Sequence, residues 1–408
     1  MLSLTSAAVV AAVALLAPLA VRLTGLRVPE IVVQILLGIL IGPQVLGWAH
    51  ADAPVEVLAV IGLAFLLLLA GLEIDFDRLR GRVLGLTSAA FAVSFALAVV
   101  IGFVLGAAGL VRSPLLIAVI LSATGLGIIL PILKDSGQTE TAFGQVVVAG
   151  ASIAEVVPIV LLSVLFSGDA SGVVSQVALL VAFLGLVAAV GLLILGFERS
   201  SRISSALVAL QDTTAEIRIR GALALLMVFA ALSTAFGLEA ILGAFLAGAT
   251  LKLLDRDRAM THSTFHGKLQ AVGFGAFVPF FFVSTGMSLD VRSLVDDPAT
   301  LVRVPIFLGA LLLVRALPAA LYTPLAQRRR QVLGAGLLQA TSLSIPVVAG
   351  AIGVQLGVIA PGNYVALVAA GLLSVVLFPL LAVPLLGGTD EGPQPTDAED
   401  PPRPVEDR

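Results

Sequence analysis

Apolar stretches of roughly twenty residues follow one another along almost the whole chain, each about long enough for an α-helix to cross a hydrocarbon core about 30 Å thick. That pattern excludes most folds. Of 408 residues, 59% are hydrophobic and 12% charged, and the mean hydropathy is +1.11, a balance foreign to soluble domains. A membrane barrel would show short segments of alternating polarity, so the fold class expected is all-α integral membrane. The net charge of −3, scattered through short loops, offers no footprint for nucleic acid. With no cysteine, disulfides and thiolate metal sites are excluded.

The apolar runs lie near 4–21, 28–48, 55–72, 83–111, 115–133, 146–166, 174–197, 222–236, 238–254, 269–287, 301–325, 332–354 and 364–386. They predict about thirteen transmembrane helices. The first run lacks a basic segment ahead of it and reads as helix 1 rather than a secretory signal. In this register Arg112, Arg292 and Arg303 fall outside and Arg315 falls within a span, while every other Lys and Arg of the 23 lies on the cytoplasmic side. The N-terminus is therefore expected outside and the C-terminus in the cytoplasm. A transmembrane domain over 1–386 is expected to precede a disordered tail over 387–408, rich in Pro, Asp and Glu, with no nucleotide-binding domain after it.

Two matches in the same order suggest an internal repeat. Residues 35–42 (ILLGILIG) parallel 241–248 (ILGAFLAG), and 71–75 (GLEID) parallel 286–290 (GMSLD). They pair helices 2 and 3 with 9 and 10, and an odd shift of seven helices inverts the second half in the membrane. The first repeat then covers about 4–166 and the second about 222–386, with a linking helix at about 174–197. Inverted repeats of this kind mark secondary transporters, whose sites lie at mid-membrane on interrupted helices.

Ionisable groups deep in a bilayer cost several kcal/mol and persist mainly where they work or are paired. Glu155 and Arg315 each fall near the middle of a span; a structural salt bridge between them is the plain alternative to function. Glu30, Glu73 and Glu239 fall near span ends and read as interfacial, and His262 and His266 read as part of a solvated loop with Lys268. Prolines sharpen the case for Glu155, because each leaves the carbonyl four residues earlier without its usual donor. Pro158 frees Ala154, beside Glu155, and Ser152 shares the Glu155 face at i−3. Pro131 frees Gly127 in the segment Thr124-Gly125-Leu126-Gly127 of helix 5, and Pro346 frees Ser342 in Gln339-Ala340-Thr341-Ser342 of helix 12. Helices 5 and 12 are repeat partners, so two interrupted, crossed helices are expected to flank the Glu155 helix. Free carbonyls and hydroxyls there suit a hard cation. The ligand set expected is Glu155, Ser152, Thr124 and the Ala154 carbonyl, with proton and monovalent cation competing for the carboxylate. Arg315 is expected to offset the negative half-helix ends or to pair with Glu155.

Several of these segments carry a family resemblance. Gly38-Ile39-Leu40-Ile41-Gly42-Pro43, the run from Phe65 to Asp75, Leu130-Pro131-Ile132-Leu133-Lys134-Asp135, Leu242 to Gly248, and the run from Pro279 to Asp290 resemble the bacterial monovalent cation:proton antiporter family. That family includes sodium/proton exchangers and the membrane parts of potassium-efflux systems, and the similarity runs from about Leu26 to Leu386. The resemblance implies a homodimer in the bacterial inner membrane, a scaffold domain, a core domain that moves like an elevator, and helices 5 and 12 crossing beside helix 6. It also implies transported sodium or potassium ions and protons as the only small partners besides lipid, with no cofactor and no enzymatic activity. Relatives usually carry Asp in helix 6, often after Asn or Asp, where this chain has Ala154-Glu155, and many have Lys where Arg315 stands. A single carboxylate in that helix favours electroneutral one-for-one exchange. A sodium-coupled organic-anion symporter and a non-transporting membrane sensor are the competing readings, and a channel lacks any filter-like or acidic-ring signature.

Overall fold

The computed structural model describes residues 4–24, 29–73, 81–135, 138, 141–166, 173–198, 216–254, 263–289, 292, 298–325 and 329–386. The expected disordered tail, His262, and the loop charges Arg27, Arg78 and Arg80 lie outside these residues. The described elements are helical throughout, and among the described residues nine helices are long and apolar enough to cross a membrane. Shorter apolar helices fall at 30–41, 114–129, 177–193 and 240–253.

In chain order the helices are α1 (Thr5–Thr24), α2 (Glu30–Ile41), α3 (Ala53–Glu73), α4 (Gly81–Ala107), α5 (Pro114–Ser122), α6 (Leu126–Asp135), α7 (Ala142–Phe166) and α8 (Val173–Glu198). They continue as α9 (Ile217–Ala235), α10 (Ala240–Leu254), α11 (Ser263–Val272), α12 (Val278–Ser288), α13 (Pro298–Ala316), α14 (Arg329–Gln339), α15 (Ser344–Gln355) and α16 (Pro361–Leu386). Predicted helix 5 is thus α5 and α6, and predicted helix 12 is α14 and α15. A π-turn over Gly273–Phe277 joins α11 to α12 just before Pro279, and a 3-10 segment over Pro318–Leu325 follows α13. His266 sits in α11, bonded to Gln270 at 2.9 Å, rather than in a loop. Arg315 lies in the last turn of α13 rather than mid-helix, because two prolines, Pro318 and Pro324, keep the chain after it from continuing as α-helix.

Packing divides the helices into two groups. α1, α2, α3, α9, α10 and the α11–α12 pair pack mainly on one another; α4 to α7 and α13 to α16 form the second group. α8 touches α7 on one side and α9 and α10 on the other. Lipid tails are as apolar as leucine, so burying leucine against leucine gains little in a bilayer and close backbone approach gains more. The first group follows this rule at two seams. A Cβ on Gly71 of α3 would overlap the Phe245 carbonyl of α10, and one on Gly248 would overlap the Leu68 carbonyl in return. At the second seam Gly286 of α12 sits on the Ile35 carbonyl of α2, and Gly38 sits on that of Val283. Outward faces are strongly apolar, with Leu15 66%, Val60 67% and Val104 61% exposed, as lipid contact requires.

Between the two groups lies a cavity of about 710 Å³, walled by α2, the π-turn and α12 on one side and by α6 and α16 on the other.

Replacing Gly71 by Val forces two backbones apart, an overpacking penalty on the order of 1–3 kcal/mol. The expected outcome is a lower melting temperature of the detergent-purified protein, whereas Gly85→Val in α4, where nothing lies near the added carbon, leaves it almost unchanged.

Candidate functional site

The two interrupted helices meet at their breaks. α5 ends at Ser122, the chain runs extended through Ala123 (φ −79°, ψ 154°), and α6 begins at Leu126. α14 ends at Gln339 and α15 begins at Ser344. Pro346 stands in the first turn of α15, where a missing N–H costs nothing. Pro131 stands in the second turn of α6, so that the carbonyl it frees, Gly127, belongs to the first. The unwound strands cross directly: Gly125 N–H donates to the Thr341 carbonyl at 2.9 Å, and the Thr124 hydroxyl donates to the Gln339 carbonyl at 2.6 Å. The Ser342 carbonyl, freed by Pro346, accepts from the Ser374 hydroxyl of α16 at 3.2 Å, which in turn accepts from Ser342 N–H at 3.1 Å.

Arg315 closes this crossing from the side of α13. Only 2% exposed, it donates through Nε to Thr124 Oγ1 at 2.8 Å, through Nη2 to Gln339 Oε1 at 3.1 Å, and through Nη1 to Ser94 Oγ at 3.0 Å. Ser94 passes its own proton to the Val314 carbonyl at 2.8 Å, and Gln339 Nε2 donates to the Tyr322 hydroxyl at 3.1 Å. The guanidinium therefore sits at the carbonyl end of α14, where a helix presents partial negative charge. No ion pair joins it to Glu155 among the described residues, so neither the structural salt bridge nor the pairing foreseen from sequence is present. The Thr124 hydroxyl gives to Gln339 and accepts from Arg315, which leaves one oxygen lone pair.

Glu155 lies on α7, directly opposite. Its carboxylate accepts a hydrogen bond from the backbone N–H of Leu126, the first residue of α6, so an anion meets the positive end of a half-helix. Its Oε2 is fully enclosed and has no hydrogen-bond partner among the described residues. One residue earlier, the Ala154 carbonyl accepts from Thr124 N–H at 3.2 Å. Ser152 is buried and donates to the Val148 carbonyl at 3.0 Å, which leaves its oxygen lone pairs to accept.

A second carboxylate, which the sequence reading placed at the interface, joins this set. Glu73, the last residue of α3, is half-buried, with Oε2 3.8 Å from where a Gly127 side chain would begin, and it acts electrostatically on Glu155. Hydropathy marks it as a span end, but α6 is a half-helix whose start lies deep in the protein, and the end of α3 reaches it. The signal for Glu73 was its place in the Ala-Gly-Leu-Glu segment, aligned in the internal repeat with Ser288. Two carboxylates, one of them with an orphaned oxygen, and a serine hydroxyl supply oxygens that can hold a small cation or a proton, while the helix N-terminus favours the ionised carboxylate.

Removing Arg315 would leave buried acceptors on Thr124, Ser94 and Gln339 without their donor, at a cost on the order of 1–3 kcal/mol for each group left unsatisfied. Arg315→Ala is expected to lower the melting temperature of the purified protein markedly. Arg315→Lys, a point charge without the planar fork, is expected to recover part of the loss.

Known proteins support this architecture. A sequence model of the family described as sodium/hydrogen exchanger, transmembrane, matches residues 11–387. The chain is 31% identical over 397 residues to the putative sodium/proton antiporter YjbQ of Bacillus subtilis, covering 93% of this chain and 62% of that protein. It therefore spans less than two thirds of that relative's length. It is 27% identical to the probable sodium/proton antiporter 3 of Methanocaldococcus jannaschii, over 87% of this chain and 90% of that one. The solved structure of the sodium proton antiporter MjNhaP1 from the same organism at pH 8 superposes with a TM-score of 0.66 at 19% identity, covering 94% and 99% of the two chains. The match to the family over nearly the whole transmembrane region, on a framework of apolar helices with this fold, makes the chain an integral membrane protein that belongs to the sodium/hydrogen exchanger family.

Proposed function

We propose that the protein is a secondary active antiporter that exchanges a monovalent cation, sodium or potassium, for protons, with Glu155 binding the two in competition. The observation that carries this reading is the enclosed, unpartnered Oε2 of Glu155 at the N-terminus of α6, beside a second carboxylate. A desolvated carboxylate needs either a proton or a cation, and one site that takes either in turn is sufficient for exchange. Glu155, Glu73, the Ser152 hydroxyl and the second lone pair of the Ala154 carbonyl supply oxygens. Gly125, Gly127, Thr341, Ser342, Gln339 and Arg315 form or brace the crossing. The relatives' names as sodium/proton antiporters agree with this reading.

Alternating access of the elevator type is part of the proposal, supported by the two helix groups and the cavity between them. The inverted repeat is supported by the glycine seams, since the contact of α3 with α10 transforms under the repeat into that of α12 with α2, and both seams set glycines against a neighbouring backbone. A homodimer in the bacterial inner membrane with a cytoplasmic C-terminus completes the reading; the distribution of Lys and Arg supports the orientation. An organic-anion symporter fits less well, because the charged side chain lining the cavity is acidic, Glu30.

In vesicles holding the purified protein, an imposed sodium or potassium gradient should drive proton movement, read by an entrapped pH dye. Glu155→Gln is expected to abolish that movement with folding intact, and retained exchange in this variant overturns the mechanism. Glu73→Gln is expected to slow exchange without abolishing it. If exchange is one-for-one, clamping the membrane potential leaves the rate unchanged, and a potential-dependent rate rejects that stoichiometry.

A further inference from the structure

The cavity between the helix groups holds one polar station that the exchange site does not use. Its walls are apolar almost throughout, from Ile128 and Ile132 of α6, through Phe274, Val278 and Pro279, to the α16 face running from Val375 to Pro384. Against them stand Glu30 and Gln34, one turn apart on α2, and they are the polar side chains among the lining residues. Gln34 Nε2 donates to Glu30 Oε1 at 2.7 Å, which commits the amide nitrogen to the carboxylate. That oxygen is buried without a hydrogen-bond partner among the described residues, although Gln34 as a whole is only 3% exposed.

A plain structural account explains half of this. An acid at the first position of a helix complements the positive helix end, and a glutamine at i+4 can bond it. It does not explain why the amide oxygen of a glutamine that lines the cavity is itself buried without a partner among the described residues, which costs about 1–3 kcal/mol. An orphaned carbonyl-type oxygen beside a carboxylate is the donor set of a hard monovalent cation, and it cannot serve an anion. Across the cavity stands Gly127, the α6 residue that the Glu73 carboxylate approaches. The same space therefore runs from Glu30 and Gln34 to the edge of the exchange site.

We propose that Glu30 and Gln34 form an accessory binding site for the transported cation, a station at which it exchanges water for protein oxygens before reaching Glu73 and Glu155. The proposal rests on the exchange reading above. Glu30 offsets the positive end of α2, raises the local cation concentration in the cavity, and holds the amide in place; the Gln34 oxygen is the direct ligand. The site acts on cation capture and not on the exchange step itself.

The test is the cation dependence of exchange in vesicles at fixed pH, with sodium and potassium each used as the probe ion. Gln34→Leu, which keeps the bulk and removes the oxygen, and Glu30→Gln are each expected to raise the half-saturating cation concentration, by roughly tenfold in combination. The maximal rate at saturating cation should be nearly unchanged, and Gln34→Glu should restore the low half-saturating value. A half-saturating concentration that stays put in both variants overturns the proposal, as does a fall in maximal rate alone, which would mark the pair as structural. If Gln34→Leu does not fold, Glu30→Gln decides by the same two readouts. Glu155→Gln runs alongside: exchange lost there while Glu30→Gln behaves as the unsubstituted protein rejects the station and leaves the exchange site standing. Exchange retained in Glu155→Gln instead rejects the underlying reading.

Discussion

The guanidinium of Arg315 holds together the part of the fold on which everything else depends. Two helices broken in mid-protein expose backbone carbonyls and N–H groups that cannot reach water, and each such group must find a partner. The breaks satisfy one another where they cross, through Gly125 to Thr341 and Thr124 to Gln339. What the backbone leaves over, the concentrated carbonyl charge at the end of α14, is met by one buried cation that bonds Thr124, Gln339 and Ser94 together. A lysine could supply the charge, but not the fork that ties three helices.

With the negative end so compensated, the opposite, positive end is free to work. The start of α6 points its Leu126 N–H at Glu155, so the crossing separates its own polarity: a fixed cation at one pair of ends, titratable carboxylates at the other. Because Thr124 N–H also bonds the Ala154 carbonyl, α7 is tied to the same crossing by its backbone. The carboxylate is thereby positioned by main-chain contacts and not by a long flexible pairing with Arg315.

Much of this was legible in the sequence because the bilayer imposes a coarse, strict grammar. Runs of apolar residues marked the helices, and Pro131 and Pro346 with their glycines and hydroxyl residues marked the breaks, since unwinding in lipid needs exactly such local compensation. Glu155 stood out as a charge in an apolar run. Three things were not legible, each for the same reason: they depend on which helix lies beside which. Arg315 was expected to offset the negative half-helix ends or to pair with Glu155, and only the packing shows that its partners are Thr124, Gln339 and Ser94. Thr124 was expected to offer its hydroxyl to an ion, and only the packing shows that this hydroxyl also gives to Gln339 and accepts from Arg315, which leaves it one lone pair. Glu73 looked interfacial by position along α3, and only the shortness of α6 brings the two carboxylates together.

The cavity walls carry a last consequence. Among the residues lining it are Pro29, Pro279, Pro379 and Pro384, and a proline has no N–H to offer a neighbour. With aliphatic and aromatic side chains filling most of the remaining lining, the walls of the cavity have few directional bonds to offer each other. Dispersion contacts vary little when such surfaces are displaced by a few ångströms, whereas a hydrogen-bonded seam has one register. In the elevator movement proposed above, those walls serve as the slip plane: the same chemistry that makes them a poor glue leaves few hydrogen bonds to break as they shift.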